Sequence, residues 1–326
     1  MRNKRLLLTI SAILSVILSG CQNSSQQPVS RTAFYLDTVI TVTLYDVPPS
    51  DAERLLDDSM TLVEGYENLF SKTKEGSDIW NINHSAGTTV TVHEDTVRLL
   101  NIALSYAEQY EGIVDPAIGT LTELWNFRDT GEHLIPTTSE ITEALSHVRY
   151  QNIIVEDHQV TLSDPETRID LGFIAKGYIA DRLREYLLSQ HVNSAIINLG
   201  GNVLTIGSKP DGTSFQVGIQ KPFDNPGTTA LALTVSNTSV VSSGNYERYF
   251  EADGILYHHI LSTEDGYPAH SGLTQVTVLC KNSVDGDALS TLCFILGYEK
   301  GRILIDSLPD VEAVFITENG EILKTW

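Results

Sequence analysis

The order in which hydrophobic periodicities appear restricts this chain more than any other feature. Helical and strand-like stretches alternate through the first 193 residues, and from "SAIINLGGNVLTIG" (194–207) onward the chain is mainly strand. The β-branched alternation of "TVITVTLY" (38–45) predicts a strand, and "SDAERLLDDSMTLVEGYENLF" (50–70) predicts a helix capped by Ser50. A second helix is expected over 95–110, and a third is opened by "PTTSEITEAL" with Thr138 or Ser139 as its cap. Short strands follow at "NIIVE" and "QVTLS". "RIDLGFIAKGYIADRLREYLLSQ" reads as a strand, a glycine-containing turn and a long amphipathic helix. The strands "SFQVGIQ", "LALTV", "TSVVSSG" and "QVTVLC" come next, then a buried helix, a further helical turn over 299–305, and the strands "EAVFI" and "EILKTW". A doubly wound fold would keep strands and helices alternating to the end, so the expected class is α+β, with mixed or antiparallel sheets and flanking helices. No Pro/Ser-rich internal linker divides the chain, and residues 31–326 are read as one domain.

The first twenty residues read as an address. Arg2, Lys4 and Arg5 precede an apolar run from Leu6 to Leu18, and small residues lead up to Cys21. This is a secretory signal pattern over 1–20, with a run too short for a comfortable membrane span. "LSGC" also resembles a bacterial lipobox, which implies lipidation of Cys21, a polar tether over 21–30, and an extracytoplasmic domain anchored to the cell membrane. The formal charge of −21 falls to −24 once the three signal cations are removed. So acidic a surface repels phosphate backbones, which argues against nucleic acid as a partner. A phosphate-bearing ligand would need a metal ion or backbone amides to hold it. Cys280 and Cys293 remain, and while their parity permits a disulfide, their apolar contexts favour two buried thiols.

Several stretches carry polar groups where packing alone would not put them. In "VDGDALSTLCFILG" (284–297), Asp287 and Thr291 are spaced i, i+4 and share a helix face bordered by Ser290. A carboxylate beside a hydroxyl suits a hard cation such as Mg²⁺. Ordinary capping of the helix by Asp285 or Asp287 explains the same residues, and on their own it is the simpler reading. In "DLGFIAKGYIAD" (170–181), Gly172 and Gly177 flank Lys176 where a strand hands over to a helix, a place where amides can meet an anion. The spacing fits neither a Walker A loop nor G-x-G-x-x-G, and packing glycines explain it equally well. "NLGGN" (198–202) is a turn between strands. His258 and His259 lie in an alternating segment, so at most one of them enters a given site.

Eight stretches in order resemble the ApbE family of FAD:protein FMN transferases, over nearly all of the chain after the signal. They are "FSKTKEGSDIWNIN", "YEGIVDPAIGTLTELWNF", "IDLGFIAKGYIAD", "INLGGNV", "VGIQKP", "VVSSGNYERYF", "YHHI" and "DGDALSTLCFILG". The resemblance implies an enzyme that cuts FAD at its pyrophosphate and attaches FMN through a phosphoester to a Thr or Ser of a secreted or membrane flavoprotein. It implies Mg²⁺ held by Asp287, Thr291 and the backbone carbonyl of Ala175, and His259 as the base or as a phosphate-positioning group. It also implies a flavin site lined by Ile113, Val114, Asp115, Gly172 and Tyr178, with Leu36 near an N-terminal flavin contact.

The chain departs from the family pattern in two places. In "HILSTEDGYP" (259–268), Ser262 and Thr263 replace an Asp-Pro, Glu264 stands where a basic residue is common, and Asp265 replaces a Thr. Lys72 and Thr73 stand where a tyrosine is sometimes found. Two other functions are compatible with the same residues: a Mg²⁺-dependent FAD pyrophosphatase that yields FMN and AMP, and a non-enzymatic flavin-binding lipoprotein.

Overall fold

A computed structural model describes residues 27–128 and 134–326, so the signal segment and Cys21 lie outside the described residues. In chain order the first elements are β1 (Val29–Tyr35), β2 (Thr38–Leu44), α1 (Pro49–Phe70), α2 (Asp78–Asn83), β3 (Val90–Thr91), α3 (Glu94–Gln109), α4 (Gly119–Trp125) and α5 (Thr138–Ser146). They continue through β4 (Ile153–Glu156), β5 (Gln159–Leu162), α6 (Ala175–Ser189), β6 (Ala195–Leu199), β7 (Asn202–Ile206), β8 (Phe215–Gln220) and β9 (Thr229–Val235). The last are β10 (Ser239–Gly244), β11 (Tyr249–Ala252), β12 (Ile255–His258), β13 (Leu273–Cys280), α7 (Ser283–Asp306), β14 (Glu312–Thr317) and β15 (Ile322–Lys324).

An eight-stranded sheet in the order β1-β2-β6-β7-β10-β13-β14-β15 is the frame, and every pairing in it is antiparallel. Side-chain alternation splits its strands between two layers. Ile40, Val42, Ile197 and Leu204 face the helical side and join the core under α1 and α6, and Val276, Val278 and Phe315 face α7. Val240, Leu279, Val314 and Ile316 face the other way, where the β8–β9 hairpin covers them with Phe215, Val217 and Leu233. A smaller cluster built on Trp125, Ile141, Phe250 and Leu261 ties α4 and α5 to the β11–β12 hairpin. The α+β expectation therefore holds, with the sheets antiparallel.

Local start signals were harder to read. Ser50 does not cap α1; the helix starts at Pro49, whose fixed φ and missing N–H suit a first position, and Pro48 precedes it without a side-chain cap. α5 is capped one residue earlier than expected, by Thr137, in a reciprocal capping box with Glu140. The strand expected before the glycine turn reduces to one parallel bridge between Arg168 and Ile118. β1 begins at Val29, two residues inside the stretch read as tether. Cys280 and Cys293 are both buried free thiols.

Candidate active site

The site forms where the N-termini of α6 and α7 meet against β10. Gly177 permits the approach: a Cβ there would lie 2.3 Å from the Ser283 carbonyl oxygen and 2.6 Å from the Val284 Cα. At that range the Gly177 N–H donates to Asp287 Oδ2 at 2.8 Å, while Asp287 Oδ1 faces the Lys176 ammonium at 3.5 Å. The opening of α7 is fixed from α6 as well. The Asp181 carboxylate accepts from the amides of Ser283 (3.0 Å) and Val284 (2.9 Å), doing from a neighbouring helix what an N-cap side chain does from its own. Burial raises the Asp181 pKa, while those two amides and Arg184 oppose the rise.

This arrangement decides against capping as the role of the α7 acids. Asp285 accepts from the Tyr106 hydroxyl (2.8 Å) and from Asn282 Nδ2 (3.0 Å), and Asp287 is turned to α6. Asp287 is 3% exposed, and one turn further on the Thr291 and Ser290 hydroxyls meet Ser243 Oγ of β10 at 3.1 and 2.8 Å. Ala175 opens α6, two residues before the Gly177 amide that binds Asp287. Carboxylate, hydroxyl and carbonyl are all hard oxygen donors, and Asp287 Oδ1 has only a long ion pair to give up, so these residues fit a Mg²⁺ ion. Among the described residues no three His, Cys, Asp or Glu side chains gather as a metal cluster, but a donor set with one carboxylate requires none.

The two histidines divide as their alternation predicts. His258 is 3% exposed and spends both ring nitrogens on structure: Nε2 donates to the Ala269 carbonyl at 3.1 Å, and Nδ1 accepts from the Ile260 amide at 3.3 Å. His259 directs Nδ1 at the Arg248 carbonyl, 3.3 Å away. A carbonyl can only accept, so the proton sits on Nδ1 and Nε2 keeps its lone pair. Burial, then the Arg248 charge, with a smaller push from Lys176, lower the His259 pKa to about 3 and keep the ring neutral. Lys176 thus relates the histidine to Asp287.

The expected flavin-lining residues scatter more. Leu36 sits in the β1–β2 turn at φ 53°, its amide held by Glu67 Oε1 at 2.7 Å. That turn abuts the Gly-Gly turn, where a Cβ on Gly200 (φ 60°) would strike Thr38 Oγ1 at 2.0 Å. Ile113 and Val114 pack on the core under α7. Asp115 is consumed by the amides of Ala117 (2.7 Å) and Tyr150 (2.9 Å), and burial lifts its pKa to about 6. Gly172 is exposed and donates to Asp170 Oδ1 at 2.8 Å. The Tyr178 side chain does not join them: its ring lies edge-on to Tyr66 and Phe70, and its hydroxyl donates to Asp95 Oδ1 at 2.6 Å.

Lys72 is a site residue that the sequence did not single out for a contact. It pairs with Asp170 Oδ2 at 2.8 Å, so the side chain standing where a tyrosine is sometimes found anchors the start of the glycine turn. Burial alone would raise the Asp170 pKa, yet the Lys72 charge and hydrogen bonds from Lys72, Gly172 and Thr122 hold it well below the usual carboxylate range. Asp181, the last residue of its motif, was equally silent. The altered 260–268 turn satisfies itself. Ser262 Oγ accepts from the Glu264 amide (3.2 Å), Asp265 Oδ1 accepts from the Tyr267 amide (3.1 Å), and Thr263 Oγ1 reaches the Gly112 carbonyl (2.8 Å) beside Ile113.

The sequence profile of the ApbE family matches residues 36–315. The chain belongs to the ApbE family. An FAD:protein FMN transferase of Klebsiella pneumoniae is 38% identical over 303 residues, covering 92% of each chain. One of Treponema pallidum is 34% identical, covering 88% of this chain and 84% of its own. The ApbE protein of Thermotoga maritima superposes with a TM-score of 0.84 at 31% identity, over 91% of this chain and 97% of that one. The Vibrio cholerae flavin transferase ApbE shares the fold, with a TM-score of 0.81 at 23% identity over 91% and 96% of the two chains. The stretches that meet at Asp287 and Gly177 are thus parts of an ApbE fold.

Proposed function

We propose that this chain is an FAD:protein FMN transferase: it moves FMN from FAD to a Thr or Ser hydroxyl of a flavoprotein through a phosphoester bond, and AMP leaves. The observation that carries this reading is the 2.8 Å hydrogen bond from Gly177 to Asp287, which joins two motifs 110 residues apart into one polar site. The names of the similar Klebsiella and Treponema proteins support it. Asp287, Thr291 and the carbonyl of Ala175 would hold Mg²⁺, which when bound offsets charge developing on the pyrophosphate.

The chain's own groups account for the remainder. The Lys176 and Arg248 charges that depress His259 also draw the phosphates of FAD toward it. The acceptor oxygen bonds to the FMN phosphorus as the bond from that phosphorus to the AMP oxygen breaks. The hydroxyl proton passes to the free Nε2 of His259, whose tautomer the Arg248 carbonyl holds in place. Incoming phosphate charge raises the basicity of the ring at the moment it is needed. The same proposal puts the domain outside the cytoplasm, anchored to the membrane through a lipid on Cys21, on the strength of the pattern in residues 1–21. No described helix is long and apolar enough to cross a membrane.

The test incubates the full-length chain with FAD, Mg²⁺ and an acceptor flavoprotein carrying the Thr-containing target motif of the family, with Asp287→Ala alongside. Intact mass is expected to show the acceptor gaining FMN with the wild type and not with the variant. An unmodified acceptor with FAD split to FMN and AMP would replace transfer by hydrolysis, and intact FAD throughout would leave a binding protein.

A further inference from the structure

One charged side chain beside the α6–α7 junction has no part in the chemistry proposed above. Glu247 lies in the short loop between β10 and β11, and among the described residues its carboxylate has neither a hydrogen-bond nor an ion-pair partner. The loop carries it over the Gly200–Gly201 turn, where a Cβ on Gly201 would lie 3.5 Å from Glu247 Oε1 and within 4 Å of nothing else. That turn is itself fastened to the site. The Gly201 carbonyl accepts from the Ser242 amide (3.3 Å), next to the Ser243 hydroxyl that meets Thr291. Asn202 Oδ1 accepts from Ser283 Oγ (2.6 Å) at the first residue of α7.

A glutamate on an outer face is simply solvated, and Glu247 is placed differently. It is open to solvent, yet desolvation by the protein around it raises its pKa, with the Lys176 and Arg248 charges pulling it down and Asp287 adding to the rise. A group both open and desolvated stands inside a cleft, and Gly201 keeps the space beside it free of side chains. Charge then restricts the occupant. A phosphate facing Glu247 would be repelled, so the phosphates belong on Lys176 and Arg248. A second metal ion there would have those two cations as neighbours, and among the described residues no three His, Cys, Asp or Glu side chains gather to hold it. The partner left for the carboxylate is a neutral donor, and neighbouring hydroxyls suit its two acceptor oxygens. In FAD a hydroxylated carbon chain flanks the pyrophosphate on each side, the ribityl chain of the FMN half and the ribose of the AMP half.

We infer that Glu247 binds FAD through the sugar hydroxyls next to its pyrophosphate, on the ribityl chain or on the ribose, while Lys176 and Arg248 take the phosphates. The inference rests on the transferase reading for its ligand, and it adds to that reading a residue that tells a nucleotide from a bare polyphosphate.

Binding to the full-length chain tests it, with FMN, AMP and inorganic pyrophosphate as separate probes, first in EDTA and then in Mg²⁺. Glu247→Ala is expected to weaken FMN about ten-fold if the hydroxyls are those of the ribityl chain, and AMP if they are those of the ribose. Pyrophosphate should bind at least as well as before. Glu247→Gln keeps one acceptor oxygen and is expected to lose less. The melting temperature should stay at the wild-type value, since Glu247 holds no other part of the fold, and the FAD KM should rise with kcat near wild type. FMN and AMP that both bind Glu247→Ala as tightly as the wild type overturn the contact, because the acid would then only be solvated. A loss shared by pyrophosphate overturns it as a disturbance of the whole site, and a loss confined to Mg²⁺ overturns it by making Glu247 a metal ligand. A wild type that binds FMN and FAD but modifies no acceptor overturns the transferase reading and leaves the sugar contact standing.

Discussion

The α6–α7 junction and the Ile260–Pro268 turn border the same site and are built on opposite plans. At the junction the decisive contacts are backbone to carboxylate: Gly177 N–H on Asp287, and Ser283 and Val284 N–H on Asp181. They exist only because no side chain stands between the helices. In the turn the contacts are short-range and made by polar side chains, Ser262 to Glu264 and Asp265 to Tyr267, so an unrelated set of turn formers does the same work. Close backbone approach leaves one solution, while turn chemistry leaves many. This explains how the chain keeps the ApbE pattern at one edge of the site and departs from it at the other.

The largest expected effect comes from breaking the tighter side. Gly177→Ala forces a Cβ against the Ser283 and Val284 backbone and should cost about 3 kcal/mol in denaturant unfolding, with FMN transfer lost. A pH series probes the strand that leads into the turn. Burial holds the folded pKa of His258 near 4, below the 6.5 of a free histidine, so the unfolded chain takes up the proton first as pH falls. The stability this group contributes is complete above pH 6.5 and is lost toward pH 4, on the order of 2 kcal/mol. Melting curves across that window should show the loss, and His258→Gln should remove its share while the part due to His259 remains. Asp181→Ala unfastens the start of α7, with an expected loss of about 1–2 kcal/mol and a transfer rate that falls further than stability does. The smallest effect belongs to Thr263→Ala, which removes one hydrogen bond to Gly112 worth about 1 kcal/mol and leaves transfer near wild type.

Much of this was legible because it is periodic. The expected 95–110 helix differs from α3 by one residue at each end, and the helix with its separate later turn appears as α7 broken at Gly297, where φ is 75°. The i, i+4 spacing placed Asp287 and Thr291 on one face before any tertiary contact was known. Caps read poorly, because Pro48–Pro49 and Thr137 compete with neighbouring Ser and Thr residues that have the same local chemistry. The short α2 and α4 helices, of 6 and 7 residues, are too brief to show a period. Lys72 with Asp170 and Asp181 with Ser283 were invisible for a different reason: each pair is brought together by tertiary packing, and nothing local to either residue announces the other.

The bond between Gly177 and Asp287 spans 110 residues, and the one between Asp181 and Ser283 spans 102. During synthesis α6 is therefore made long before the segment that completes its N-terminal end, and the chain between them supplies β6, β7, β10 and β13, which lie side by side in the finished sheet. Loop closure of this length comes late and slowly. A growing or half-folded chain thus has every motif of the early half and none of the chemistry. On the function proposed above, a metal or flavin added during refolding should accelerate nothing until the last helix docks.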